Sequence, residues 1–542
     1  MIHSDFEMFP VSALEKVRSR VRPQLFENEN TALEGERFCF QVAYRSIGWA
    51  RSGITFSLEG VPEGYAEVYP VTEVPCGNPC VEGSDDYLLT ETPCMMPDLL
   101  APVSPSGVTA KYRAWQAFYV ILTGLPAGDY KMRFRIREGG EVLGEADYLL
   151  HVLAEKLPEA DLVCTYWMHY DCIANYYHLP VFSEEYNRIL ESFLRSAVGH
   201  GLTMLLTPLF TPPLDTQVGG ERLTVQLIDV EKRKGGYSFG FARLGWFMRF
   251  ARSCGVKYFE MSHLFSQWGA KFAPKIVAKE NGAERRIFGW DTEALSEEYK
   301  AFLAAFLPQL RGWLIENGFY ERCYFHISDE PSAEAFAHYK ACHDFVKGLL
   351  PDGKFVDAMS HYDYFTQKLV DLPFVALDAT EPFLAQNEPY FVYYCTAQHS
   401  RFVSNRFLSM PLERTRVLGI QMYRNGVRGF LHWGYNFYNS VLSREAIDPF
   451  AVTDGMGGLQ SGDPFTVYPG KDGALSSLRN EAFYMGLQDY RALTLLEEKI
   501  GRERVIALLD ENGVAANFTD YPKNALWLLS LRNKINKEIA EH

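Results

Sequence analysis

Along the first 155 residues the apolar positions come in short runs with partial two-residue alternation, at 38–43, 54–58, 66–71, 114–122, 130–137 and 146–152. A period of two puts successive side chains on opposite faces of a strand. Gly48-Trp49, Pro62-Glu63-Gly64, Pro126-Ala127-Gly128-Asp129 and Glu138-Gly139-Gly140 punctuate these runs as turns. The pattern predicts an amino-terminal β-sandwich domain over residues 1–155. The proline-rich stretch 75–107 reads as one long loop, of a kind that is often functional or contacts a neighbouring domain. Lys156-Leu157-Pro158 reads as a linker.

Beyond the linker the period changes. Strand-like apolar runs at 162–170, 202–210, 256–264, 323–327, 354–361, 374–377, 390–395 and 429–435 alternate with helical spacing at 183–198, 244–254, 293–317, 334–350 and 411–425. Pro308 predicts a kink or break in the third helix, and 223–230 reads as an inserted hairpin. Strands alternating with helices argue for right-handed parallel βα units, and the strand count predicts a (β/α)8 TIM-like catalytic barrel over 156–470. A doubly wound sheet is the structural alternative, but no glycine-rich dinucleotide or phosphate loop follows the first strand. Helical spacing returns at 477–499, 504–510 and 523–542, predicting a helical carboxy-terminal extension over 471–542.

The stretch Cys323-Tyr324-Phe325-His326-Ile327-Ser328-Asp329-Glu330-Pro331 organises the chemistry. Aromatic and β-branched residues make it a short buried strand, and Pro331 cannot continue a ladder. Cys323, Phe325 and Ile327 share the face toward the helices. Tyr324, His326 and Ser328, continued by Glu330, share the inward face. Two acids therefore stand where a strand hands over to a helix, which in an α/β barrel is the mouth where active sites are built. An isolated Asp-Glu-Pro is more often a solvated turn beside a helix dipole; the buried strand before it argues for chemistry here.

Other strand ends supply rings and polar donors around the same mouth: Trp167, His169, His263, His361, Asp378, Tyr394, Trp433, Tyr435 and Asn436. Each alone is more often packing than ligand contact. Together they suit a sugar, with ring faces for C–H patches and polar groups for hydroxyls. The sequence has no His-x-His, no His-Glu-x-x-His and no Gly-x-Ser-x-Gly, so acid/base chemistry by carboxylates without metal or cofactor is the simplest expectation. Cys76, Cys80 and Cys94 lack a fourth ligand at zinc-site spacing.

A formal charge of −15 argues against nucleic-acid binding and against adhesion to anionic membranes. Aromatic residues make up 14% of the chain, which fits carbohydrate stacking and a large core equally. The first ten residues carry neither a basic start nor an apolar run, and no stretch is long enough to span a bilayer, so a cytoplasmic location is expected.

His326-Ile327-Ser328-Asp329-Glu330-Pro331 resembles the catalytic Asp-Glu motif of glycoside hydrolase family 123. Gly429-Phe430-Leu431-His432-Trp433-Gly434-Tyr435-Asn436 resembles that family's last barrel strand, and Asn405-Arg406-Phe407 with Pro411-Leu412 the segment before it. Gly462-Asp463-Pro464, Tyr468-Pro469-Gly470, Ser477-Leu478-Arg479-Asn480-Glu481 and Gly486-Leu487-Gln488-Asp489-Tyr490 resemble its tail; Trp115 and Gly128-Asp129-Tyr130 resemble its amino-terminal sandwich. The resemblance implies an exo-acting, retaining β-N-acetylgalactosaminidase whose substrate's own 2-acetamido oxygen attacks the anomeric carbon. On that basis Asp329 would hold the acetamide N–H and Glu330 would protonate the leaving oxygen. A glycosidase acting on a non-acetamido sugar and a non-catalytic carbohydrate-binding protein are the open alternatives.

Overall fold

The computed structural model describes residues 5–159 and 161–542. Its amino-terminal part holds two five-stranded sheets. Phe6–Ser12, Arg37–Ser46, Gln116–Thr123, Ala66–Cys76 and Cys94–Leu100 lie side by side in that order; Glu29–Glu34, Glu141–Lys156, Gly128–Glu138, Arg51–Glu59 and Val108–Ala110 form the other sheet. Alternation decides the layering. Phe40, Val42 and Tyr44 meet Phe134, Ile136 and Leu150 in one core, whereas Cys39, Tyr119 and Ile121 point the other way into the main core. The first sheet is thus buried on both faces, which explains its nearly continuous apolar strands.

The stretch 75–107 is not one loop. Cys94–Leu100 pairs antiparallel with Ala66–Cys76, with a register shift between Thr72 and Glu73. Pro97 stands opposite Glu73 beside that shift, where a residue without an N–H is tolerated. Asp98, next to it, is fully buried against Arg479, whose Nε and Nη2 each lie 2.9 Å from a carboxylate oxygen. This fork joins the amino-terminal sheet to a carboxy-terminal helix.

Eight short parallel strands follow: β1 Val163–Tyr166, β2 Met204–Thr207, β3 Tyr258–Met261, β4 Cys323–Phe325, β5 Ala358–Met359, β6 Phe374–Ala376, β7 Phe391–Tyr393 and β8 Gly429–His432. Their spatial order is β4-β3-β2-β1-β8-β7-β6-β5. The sheet curls until its edges meet: Phe325 N–H donates to Lys354 C=O at 2.9 Å, and Val356 N–H to Phe325 C=O at 3.1 Å. This is a TIM-like arrangement. Its interior is filled by Val163, Trp167, Leu206, Ala376, Tyr393 and Leu431, while the alternate residues Cys164, Tyr166, Leu205, Val375 and Phe430 pack outward against helices.

Two local expectations are corrected. The helix Glu297–Glu316 is not broken at Pro308: the lost backbone bond and the ring clash of an interior proline are offset by the burial of Phe302, Phe306, Leu310 and Leu314 on either side of it. The hairpin is not at 223–230; Asp229–Arg233 and Gly236–Gly240 form it, turning at Lys234-Gly235, and Ile276–Glu280 with Ala283–Phe288 extend it to four strands. The apolar residues Val225, Leu227 and Ile228 before it are core instead.

Helices Leu478–Ile500, Arg502–Glu511 and Ala525–Glu541 end the chain. The first is capped by Ser477, whose Oγ accepts the Asn480 N–H. It crosses Leu418–Arg424 so closely that a Cβ on Gly419 would fall 1.7 Å from the Gly486 carbonyl oxygen. No helix among the described residues is long and apolar enough to cross a membrane.

Candidate active site

Beyond β4 the chain leaves the ladder but stays tied to the loop after β3. Phe265 N–H donates to Ile327 C=O at 3.1 Å, Trp268 N–H to Asp329 C=O at 2.8 Å, and Ser328 Oγ–H to Ser266 C=O at 2.7 Å. Glu330 N–H then donates to Ala358 C=O of β5 at 3.1 Å, and Glu330 itself is left-handed, with φ 42°. That conformation costs a non-glycine residue on the order of 1 kcal/mol or more. It breaks the pleat between the two acids and lets both line one cavity of about 280 Å³. Trp167, Trp433, Trp268 and Tyr393 line the same cavity.

Beneath the pair lies a fully buried ion network. His326 Nε2 is 2.5 Å from Glu260 Oε1, and its Nδ1 is 2.6 Å from Asp357 Oδ1. Burial alone would lower the pKa of this imidazole, but the hydrogen bonds to Asp357 and Glu260 outweigh it and raise the pKa to about 10. His326 is therefore an imidazolium at neutral pH. Asp357 Oδ2 also accepts the Tyr339 hydroxyl and the Ser328 N–H. His263 stacks on His326 with ring centroids 4.2 Å apart, and neither of its ring nitrogens has a hydrogen-bond partner among the described residues. Burial and the neighbouring imidazolium keep His263 neutral. Nitrogens of His263 and His326 and an oxygen of Asp357 lie within 4.8 Å of one another, close enough for a metal. Both nitrogens of His326 are already committed to carboxylates, so the geometry suits an ion triad better than a ligand set.

Burial, then the charge of its neighbour Glu330, pushes the Asp329 carboxyl well above the usual range, and the His326 imidazolium partly offsets this. Burial also raises Glu330, opposed by hydrogen bonds from Tyr393 and Cys395 and reinforced by Asp378. Two buried, adjacent carboxyls cannot both ionise cheaply, so the pair holds its last proton more tightly than an isolated carboxyl would.

The two interior tryptophans are pinned in parallel fashion. Trp167 Nε1–H donates to Glu260 Oε1 at 2.8 Å; Trp433 Nε1–H donates to Asp463 Oδ2 at 3.0 Å. Each carboxylate is backed by a histidine, His326 for Glu260 and His432 for Asp463, the latter with 3.5 Å between Nε2 and Oδ1. The histidine of the second clamp is neutral where that of the first is charged. His432 Nδ1 accepts from Arg406 and from the Gly434 N–H, so its proton is on Nε2, and burial holds its pKa well below the ordinary value. Burial raises Asp463 to about 7, against the pull of Arg406 and the Trp433 N–H.

Of the residues expected at the mouth, Asp329, Glu330, Trp167 and Trp433 line the cavity. The others take different places. His169 is buried, its Nε2 donating to Trp433 C=O at 2.9 Å and its Nδ1 accepting from Arg222, so it supports Trp433 from behind. Asn436 clasps the backbone of His169 through both amide atoms. His263 lies under Trp167, the two rings 5.2 Å apart. Asp378 accepts from Gln398, which in turn accepts the Cys395 N–H. Tyr394 and Tyr435 face outward, against Phe430 and Tyr166 respectively. His361 is exposed beyond β5. On β7 it is Tyr393, not Tyr394, that points inward and donates to Glu330 Oε1, at 2.6 Å.

Glu260, Asp357, Asp463, Asp215 and Cys395 complete the site, and periodicity does not single them out. Glu260 carried a signal nonetheless, as an acid between Phe259 and Met261 in an apolar strand. Asp463 falls in the Gly462-Asp463-Pro464 block that resembles the family's tail, but nothing in that block shows its bond to Trp433. Asp215 lines the cavity at φ 37° and accepts the Leu442 N–H at 3.0 Å; burial raises its pKa to about 6.

A family profile described as the glycoside hydrolase 123 catalytic domain matches residues 167–496. Among solved structures, a family 123 glycoside hydrolase from Clostridium perfringens, described in terms of glycolipid glycan hydrolysis, superposes with a TM-score of 0.77 at 15% identity, covering 99% of this chain and 98% of that one. A family 5 xyloglucanase from Bacteroides ovatus gives a TM-score of 0.31 at 7% identity over 85% and 98% of the two chains. No curated protein matches the sequence. The profile spans more than half of the chain, from Trp167 at the end of β1 through the Asp329-Glu330 pair to the helix that carries Arg479, and the chain belongs to the glycoside hydrolase 123 family.

Proposed function

We propose that this glycoside hydrolase removes a terminal β-linked N-acetylgalactosamine, with retention and with the substrate's 2-acetamido oxygen as the nucleophile. The amino-terminal sheets are read here as a β-sandwich and the last three helices as an extension supporting the barrel. One observation carries the mechanistic reading: two of the carboxyls that line the cavity, Asp329 and Glu330, are adjacent at one strand end, on the same side of any bond they act on. Asp463 is fully buried on the Trp433 indole, and Asp215 is held by a backbone N–H. A protein nucleophile would need a second carboxylate across the bond from the acid, roughly 5 Å away. In this reading the sugar supplies the nucleophile instead.

In this reading the cavity takes one sugar residue between Trp167 and Trp433, which fits exo action. Glu330 keeps its proton through burial and passes it to the leaving oxygen as the C1–O bond breaks. Asp329 receives the acetamide N–H, turns the carbonyl oxygen toward C1, and balances the positive charge of the oxazolinium that forms. In this reading the acetamide N–H donated to Asp329, together with the His326 imidazolium, stabilises the ionised form of Asp329 once substrate is bound, and the proton of the pair then lies on Glu330. Water then opens the oxazolinium with Glu330 as base, restoring the β-configuration.

The test is hydrolysis of aryl β-N-acetylgalactosaminide, aryl β-N-acetylglucosaminide and aryl β-galactoside by wild type, Glu330→Gln and Asp329→Asn. Release from the first substrate, lost in both variants, is expected. Comparable release from the plain galactoside would sink the acetamido mechanism. So would failure of a thiazoline analogue of the oxazoline to inhibit.

A further inference from the structure

The chain has nine tryptophans, and Trp268 is the one whose ring has no partner among the described residues. The other eight stack on a ring, lie under a guanidinium or donate their N–H. Trp268 is 46% exposed yet lines the same cavity as Asp329 and Glu330. It is not loosely placed. Its backbone N–H donates to Asp329 C=O, its φ is 58°, and Gly269 and Ala270 after it also have positive φ, 121° and 58°. Ala270 N–H is tied to Ser266 C=O and to Ser328 Oγ, and Ala270 C=O lies 3.0 Å from His338 Nε2. A strained backbone and a set of cross-loop bonds thus hold a large, amphipathic ring at the cavity mouth, fixed against the backbone of the acid pair and open to water. Core packing does not account for that arrangement, because the ring packs no core.

We propose that Trp268 is the platform for the leaving group, the first unit of the aglycone, and that this unit is a pyranose presenting a face of C–H bonds. The inference rests on the reading of Glu330 as proton donor. The donor stands at the bond being cut, so the leaving oxygen passes Glu330. The part of the cavity lined by Trp167 and Trp433 is assigned to the sugar that is cleaved off, and the exposed Trp268 ring beside the acid pair to what departs. Stacking there would hold the leaving sugar while Glu330 protonates it, and would fix the angle at which the glycan enters.

Three substrates sharing the cleaved sugar test this: a β-N-acetylgalactosaminyl disaccharide, the aryl glycoside, and the β-glycosyl fluoride, whose leaving atom has no face to stack. Trp268→Ala is expected to lose about 10-fold in kcat/KM on the disaccharide and to stay within about twofold of wild type on the fluoride. Trp268→Phe should recover most of the disaccharide rate. The fluoride rate also reports whether the variant is folded. Equal loss on all three substrates, or no loss on the disaccharide, overturns the proposal while leaving the acetamido mechanism standing. A wild type inert on all three counts against that mechanism and against this subsite with it.

Discussion

The Tyr393 hydroxyl donates to Oε1 of Glu330 at 2.6 Å, and the Cys395 thiol approaches the same oxygen at 3.9 Å. One carboxyl oxygen of the acid is thereby occupied from the barrel interior, which leaves Oε2 to carry the proton toward substrate. Removing the donor destabilises the ionised form, so Tyr393→Phe should move the alkaline limb of the pH–rate profile upward. It should also cost about 10-fold in kcat, because a hydrogen bond to a charged group contributes about 1.5–3 kcal/mol and here orients the acid. Rate profiles from pH 4 to pH 9 check this. An unshifted alkaline limb would separate Tyr393 from the titration of Glu330.

That bond also marks where sequence reading stops. The eight barrel strands are legible because each is a short apolar run between helical stretches. The direction of Tyr393 against Tyr394 is not, since both are aromatic and the phase of the pleat is set by pairing of β7 with β8, Tyr393 opposite Leu431. A one-residue slip exchanges the two faces. His169 and His263 stand at strand ends as expected, but behind the cavity wall rather than on it, because each strand bends into its loop after its last ladder bond. The Asp329-Glu330 pair was legible from a strand ending at a proline. Its left-handed Glu330 was not, because that conformation is imposed by the bond to Ala358 from a different strand.

The His326 triad should make stability depend on pH in the alkaline range. Its folded pKa is raised from 6.5 to about 10. The contribution is therefore fully present below about 6.5 and is lost as pH rises through about 10, at up to about 1.4 kcal/mol per pH unit between. His326→Gln leaves Glu260 and Asp357 buried without their cation, which should cost on the order of 3–5 kcal/mol at pH 6. The gap from wild type should narrow by pH 9, when part of the wild-type contribution has already been lost. Denaturant titrations at the two pH values measure it; a gap that does not change with pH would mean that His326 is neutral in the folded protein.

Asp463 should act in the opposite half of the pH scale. Its folded pKa is raised from 3.8 to about 7, so the folded protein holds a proton that the unfolded chain releases. Stability from this group is fully present below about 3.8 and falls as pH rises through about 7; the difference of roughly three units amounts to at most about 4 kcal/mol. Asp463→Asn cannot ionise and lacks that slope. Its amide also has one acceptor oxygen where the carboxyl has two, so an NH2 group must face either the Trp433 N–H or the His432 Nε2–H, the latter 3.5 Å from Oδ1 in the wild type and without a hydrogen-bond partner among the described residues. The variant should therefore be less stable than wild type at pH 5, with the deficit shrinking or reversing at pH 8. The same loss of one acceptor loosens the Trp433 indole at the cavity wall, so KM for the aryl glycoside should rise while the shape of the kcat profile, set by Glu330 and Asp329, is kept. A stability deficit identical at pH 5 and pH 8 would show Asp463 to be ionised throughout and the Trp433 bond to be charge-assisted.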